Sequence, residues 1–182
     1  TPDIFLTRIP VNTKEGVKAF VEKTLEYERN PPATNSTGKM IFSGVKLWNS
    51  WEGKSDSHHR SNLILDKYID LKWNGDRFDF FDTGTDLIQN SDYHVTARNL
   101  SDQLNKGFGF FHFTGHGNNQ YLNMESGKVF DVEDAMNLTN QTPGIVMTNA
   151  CNVNAFDLAE PSLSEALLRN PRGGCVAIFS SS

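Results

Sequence analysis

The segment Gly107-Phe-Gly-Phe-Phe-His-Phe113 is a run of large apolar residues with no polar alternation. A strand with one face in water alternates polar and apolar residues, so this run is expected of a strand covered on both faces, as in a parallel sheet. Gly144-Ile-Val-Met-Thr148, bounded by Pro143 and Asn149, reads the same way, as does Gly174-Cys-Val-Ala-Ile-Phe-Ser180. Lys39–Val45 and Phe78–Asp82 add two more strand candidates. Helical spacing separates them. Leu63, Ile64, Tyr68 and Ile69 form one pattern, and Thr96–Asn105, with Leu100 and Leu104 one turn apart and Gly107 as a stop, forms another. Asp131 is expected to cap a short helix holding Val132, Ala135 and Met136, and Ser162 with Glu165 reads as a capping box before Ala166–Leu168. This βαβα alternation implies an α/β fold with a mainly parallel sheet.

Upstream, Val17, Phe20, Val21 and Leu25 recur at helical spacing, with Asn12 as the expected cap and Glu15 three residues on. The stretch from Asn30 to Gly38, with Pro31 and Pro32, reads as a linker. The chain therefore divides into a preceding segment, 1–37, and a main α/β unit, 38–182. The last strand candidate has almost nothing after it, so the natural polypeptide is expected to continue. The chain begins at Thr1 with no apolar leader, so targeting information is not in this piece.

Composition excludes several classes. With 17 basic and 22 acidic residues, a net charge of -5 and no dense Lys/Arg cluster, a phosphate-tracking surface for nucleic acid is not expected. No window approaches the roughly 18 apolar residues of a spanning helix. The two cysteines, Cys151 and Cys175, are too few for a disulfide framework and leave room for a reactive thiol. His58 and His59 match no ligand spacing, so no metal site is expected.

In open α/β sheets, function gathers beyond the carboxyl ends of the strands, and two segments there carry chemistry. They are His112-Phe-Thr-Gly-His-Gly-Asn118 and Thr148-Asn-Ala-Cys-Asn-Val-Asn-Ala-Phe156. A thiol attacks as thiolate, and a nearby imidazole takes its proton near neutral pH, which makes Cys151 a candidate nucleophile and His116 its base. One strand-helix-strand step separates them, as adjacent strand ends require. Gly115 is expected to permit a tight turn and Gly117 a close backbone approach to substrate. The N–H groups of Gly117 and Cys151 are candidate oxyanion donors. Cys175, inside Gly-Cys-Val-Ala-Ile, reads as a core filler, and His112 as a buried, hydrogen-bonded histidine.

At these residues the chain resembles the gingipain-type peptidases, the C25 family of the caspase-like cysteine peptidase clan. His112–Gly117 resembles the family's His-Gly box, and Asn149–Phe156 its Ala-Cys box with a Phe five residues on. Leu163–Arg169 and Gly174–Ile178 resemble the helix and strand after the nucleophile, while Arg8–Val11 and Glu26–Glu28 resemble the segment before the catalytic subdomain. The resemblance implies a caspase-like three-layer sandwich, incomplete at its C-terminal end. It implies peptide-bond hydrolysis by Cys151 and His116 through a thioester, with a protein or peptide substrate and no cofactor. It also implies a secreted or cell-surface bacterial enzyme with flanking domains, the activity being that of the longer polypeptide. Asp56 resembles the acidic residue that pairs with a basic P1 side chain, although the residues alone read it equally as an N-cap for a helix over Arg60–Ile69. The chain departs from the family pattern at Asn154, where many members have Gly, and Val45–Gly53 has no assigned counterpart of the acid that orients the histidine. Two rival readings stand beside this one. One is a non-catalytic relative used for binding or secretion; the other, a serine hydrolase, lacks a Gly-x-Ser-x-Gly elbow.

Overall fold

The computed structural model describes residues 7–31, 35–47, 50–51, 54–69, 75–81, 95–124, 127 and 129–182. Five strands form one parallel sheet: β1 (Met40–Gly44), β4 (Arg77–Phe81), β5 (Phe110–Thr114), β8 (Gly144–Asn149) and β9 (Cys175–Phe179), in the spatial order β4-β1-β5-β8-β9. Every neighbouring pair is parallel. The order reverses between β1 and β5, the kind of switch point at which open α/β sheets gather function at the carboxyl ends.

With right-handed crossovers, α2 (Asp56–Tyr68) covers one face, and α3 (Ala97–Leu104), α4 (Val132–Asn137) and α5 (Leu163–Arg169) cover the other. This is the parallel α/β sheet the alternation predicts, in the three-layer sandwich the family resemblance implies. The core holds Ile41, Phe111, Phe113 and Val146 from the strands against Leu100, Leu104, Ala135, Leu163 and Leu167 from the helices. α2 sits close on β1 because Gly44 has no side chain. A Cβ there would lie 2.6 Å from the Ser57 Cβ and 2.5 Å from the Thr114 carbonyl oxygen.

Local signals locate the helix starts with small shifts. Asp131 caps α4 and Ser162 caps α5, each in a reciprocal capping box, with Asp134 and Glu165 as the returning acids. The first helix, α1 (Lys14–Arg29), is capped by Thr13, whose hydroxyl accepts from the Gly16 N–H, rather than by Asn12. Thr13 wins because its oxygen reaches the N3 position. The Asn30–Gly38 stretch contains a 3-10 turn at Asn35–Gly38 with Ser36 buried, while residues 32–34 lie outside the described set. Asp82 of the second strand candidate also lies outside it.

Four short strands escape the strand and helix patterns. Ser50–Trp51 and Lys54–Ser55 pair antiparallel as β2 and β3. Tyr121–Asn123 and Val129–Asp131 pair as β6 and β7 between β5 and α4. Both pairs are too short to carry a period. The apolar run of β5 also starts later than its sequence, since Gly107 has φ +81° and belongs to the turn out of α3.

The final strand differs from expectation. Only Cys175 is buried on β9, and Phe179 is 65% exposed. β9 is the edge of the sheet, where no further described strand covers it. α1 has no buried residue, yet it packs on α5 and β9 through Phe20 and Lys23. The Lys23 ammonium donates to the carbonyls of Leu167 (3.2 Å), Leu168 (2.8 Å), Asn170 (3.1 Å) and Gly173 (3.0 Å). Those of Leu167, Leu168 and the C-cap Asn170 are carbonyls that the end of α5 leaves without intrahelical partners, and that of Gly173 belongs to the turn beyond. Among the described residues no helix is long and apolar enough to cross a membrane.

Candidate active site

β5 and β8 are neighbours, and their last paired residues are Thr114 and Asn149. His116 follows Thr114 by two residues, and Cys151 follows Asn149 by two, so both leave the same end of the sheet at the same height. Both are exposed. The two loops also touch. A Cβ on Gly117 would lie 3.1 Å from the Ala150 Cβ and 3.4 Å from the Val153 Cγ2, and the Gly115 N–H donates to the Asn149 carbonyl at 3.4 Å.

The His116 loop is short because it folds straight back into β6. Gly117 bridges Leu122, the Asn118 N–H donates to the Tyr121 carbonyl (3.0 Å), and the Asn123 N–H donates to the His116 carbonyl (2.9 Å). The Asn118 side chain accepts from the Gln120 and Tyr121 N–H groups at 2.8 and 3.1 Å, an Asx turn. Gly115 and Gly117 have ordinary backbone angles. Their lack of a side chain serves packing instead. A Cβ on Gly115 would lie 2.7 Å from the Phe113 ring, and one on Gly117 would lie 2.8 Å from the Tyr121 carbonyl oxygen. A side chain at either position would therefore collide with the protein itself.

The Cys151 loop turns at Asn152, which has φ 56°, a left-handed value that asparagine tolerates better than most residues. The start of α5 fastens both loops. The Leu163 N–H donates to the Asn119 carbonyl (2.7 Å), and the Ser164 N–H donates to the Val153 carbonyl (3.2 Å). These are N–H groups that a helix start leaves without intrahelical acceptors, here used as tethers. Beyond the loop, the Arg8 guanidinium lies 4.2 Å from the Phe156 ring centre, and Arg169 Nε donates to the Pro10 carbonyl at 2.6 Å. The N-terminal segment is therefore strapped onto the loop that follows Cys151.

Below the loops, His112 is fully buried. Its Nε2 lies 3.5 Å from Thr114 Oγ1 and 3.4 Å from Asn149 Nδ2, and its ring stacks on Phe110. Burial pulls its pKa down to about 4, so the ring is neutral near pH 7. Cys175 is also fully buried, and burial pushes its thiol up to about 12. The two cysteines thus differ in the property nucleophiles need, which is access.

Asp56 is the first residue of α2, four residues ahead of the expected helix start, so it lies within the helix rather than capping it. Its Oδ1 accepts from the Leu47 N–H at 3.0 Å, and its buried Oδ2 has no hydrogen-bond partner among the described residues. α2 packs at β1, which lies two strand spacings, about 10 Å, from β8. Among the described residues no three His, Cys, Asp or Glu side chains cluster as metal ligands, and His58 and His59 lie together on α2.

A cleft of about 320 Å³ opens beside Cys151, with Met147, Asn149, Phe179 and Ser181 among its walls. A groove of about 1010 Å³ runs between α1 and the Thr139–Pro143 turn, at the amino ends of β8 and β9. It lies at the opposite end of the sheet from His116 and Cys151. Sequence reasoning missed the β6 return, the α5 tethers and the place of Ser181 in the cleft wall. Of these, only the Asn118-Asn119 pair carried a turn signal.

An exposed thiol and an exposed imidazole at adjacent ends of a parallel sheet define a candidate thiol hydrolase of the α/β class. Peptidase family C25 matches residues 1–182, and the chain belongs to that family. It is 26% identical over 175 residues to gingipain R2 of Porphyromonas gingivalis, which covers 94% of this chain and 22% of that protein. Gingipain R1 of Porphyromonas gingivalis is likewise 26% identical over 175 residues, with 16% of its length matched. The chain thus spans about a fifth or less of the curated relatives named here. In fold it is similar to the crystal structure of the Arg-specific cysteine proteinase gingipain R, with TM-score 0.72 and 23% identity over 92% of this chain and 37% of that one. The complex of Porphyromonas gingivalis RgpB pro- and mature domains is similar too, with TM-score 0.71 and 24% identity over 97% of this chain and 40% of that one.

Proposed function

We propose that this chain carries the Cys/His centre of a cysteine endopeptidase, with Cys151 as nucleophile and His116 as general base. The observation that carries the reading is the shared offset of His116 and Cys151 from the paired Thr114 and Asn149. Membership of the C25 family supports the same reading. In the proposed reaction His116 takes the thiol proton as sulfur bonds to the scissile carbonyl carbon, whose oxygen becomes an oxyanion. The N–H groups of Gly117 and Cys151 receive that charge, and neither has a protein acceptor among the described residues. Collapse expels the amine with the proton held by His116 and leaves a thioester on Cys151. Water then attacks with His116 as base, releasing the carboxylic acid and regenerating the thiol.

Asp56 is assigned to the substrate. The gingipain likeness supports this, since an acidic residue here resembles the one that pairs with a basic P1 side chain, so a basic P1 residue is the expected preference. Residues 38–182 form the catalytic subdomain in this reading, and 1–37 a preceding segment that docks through α1. The working enzyme is a secreted or cell-surface bacterial protein with flanking domains, as the gingipain likeness suggests. The pro-domain seen with RgpB makes a pro-segment a candidate partner.

The test is cleavage of peptides with Arg or Lys at P1 by the full polypeptide that contains this chain. Cys151→Ala and His116→Ala should each lower the rate about 1,000-fold or more, while Cys175→Ala keeps it. Asp56→Asn should raise KM for basic P1 and leave uncharged P1 unchanged. Equal loss in both cysteine variants, or loss in neither, overturns the assignment, and no cleavage by the wild type leaves the non-catalytic binding module.

A further inference from the structure

The segment after β9 reaches back to the Cys151 turn at both of its ends. The Ser181 hydroxyl donates to the Ala150 carbonyl, and the Ser181 carbonyl accepts from the Asn154 N–H at 2.9 Å. A second pair backs this residue: Thr148 Oγ1 donates to Ser180 Oγ at 3.1 Å, and Ser180 Oγ donates to the Ser181 carbonyl at 3.4 Å. One residue from a neighbouring strand end therefore spans positions 150–154, with the nucleophile between its two contacts.

The Ala150 carbonyl and the Cys151 N–H belong to one planar trans peptide unit, so they point in opposite directions. Holding the oxygen on one side sets the direction of the N–H on the other. Ala150 is 4% exposed, and the Ser181 hydroxyl is the side chain that meets its carbonyl. The Cys151 N–H has no acceptor among the described residues.

We infer that Ser181 is a positioning residue that aims the Cys151 N–H at the oxyanion, an inference that rests on the peptidase reading of Cys151. Its effect falls on the step in which carbonyl charge develops, not on the thiol. An N–H displaced by about 1 Å at such a site costs roughly 10- to 100-fold in rate.

The experiment compares Ser181→Ala and Ser181→Thr with the wild-type full polypeptide. Three quantities are read: peptide hydrolysis, alkylation of Cys151 by iodoacetamide, and order of the Cys151 amide by 15N relaxation. Alkylation displaces iodide at a saturated carbon and forms no oxyanion, so it reports the thiol alone. Ser181→Ala should lower kcat roughly 10- to 100-fold, hold KM and the alkylation rate within about twofold, and loosen the Cys151 amide. Ser181→Thr, which keeps the hydroxyl, should recover most of kcat. Parallel loss of kcat and alkylation, or loss of neither, overturns the inference. If the wild type shows no Cys151-dependent hydrolysis, the peptidase reading fails by itself. The amide measurement then decides the positioning role: loosening in Ser181→Ala sustains it, and an unchanged amide overturns it.

Discussion

Thr114 and Asn149 are Cα partners at the final register position of β5 and β8, and each lies two residues before a candidate catalytic side chain. Their own side chains meet over one buried imidazole, His112, whose Nε2 lies 3.5 Å from Thr114 Oγ1 and 3.4 Å from Asn149 Nδ2. The strand ends that carry the site thus share an uncharged support.

That support is pH-sensitive. The folded pKa of His112, about 4, lies below the ordinary 6.5, so the unfolded chain binds more protons between these values. Stability from this residue is therefore full above about pH 6.5 and is lost as pH falls towards 4, up to about 3 kcal/mol in all. Urea unfolding at pH 7 and pH 4.5 should show the loss, and His112→Phe should shrink the difference between the two.

Cys151 and Cys175 should separate by exposure alone. In the folded protein at pH 8, iodoacetamide should modify one thiol per chain, at Cys151. In denaturing urea it should modify two. Peptide mass mapping checks this, because the Cys175 thiol is fully buried and its pKa is pushed up to about 12.

Gly117→Ala should harm activity more than folding. The added methyl would meet the Tyr121 carbonyl oxygen at 2.8 Å and the Ala150 side chain at 3.1 Å, spreading the two loops. The expected result is a loss of about 100-fold in kcat/KM, with a melting temperature lowered by a few degrees at most. Gly117→Ala with full activity would mean that the loops need not touch.

Lys23→Met should loosen α1. The substitution keeps roughly the length of the side chain and strips a donor from three carbonyls at the end of α5 and from that of Gly173. A loss of about 2–3 kcal/mol in urea unfolding is expected, with hydrogen exchange faster across residues 14–29. Burial already pulls the Lys23 pKa down to about 8, so the contact depends on geometry as well as charge.

Much of this molecule is legible in short stretches of sequence. Phe110–Phe113 announces a strand covered on both faces, and Asp131 and Ser162 announce helix starts, because packing period and capping depend on residues within one turn of each other. The pairing of a Cys loop with a His loop follows from one strand-helix-strand step. Asp56 shows the limit of such reasoning, since whether it starts α2 or caps it depends on where the chain leaves β3.

What the sequence by itself determined is the class of fold, the strands and the two loops that hold His116 and Cys151. The tertiary structure alone decided the strand order, the exposed edge at Phe179, the β6–β7 return and the reach of Ser181 to Ala150. The division has a physical cause: periodicity and caps are set by neighbours along the chain. The contacts that aim a backbone N–H join residues about thirty positions apart, and those exist only once the sheet has closed around them.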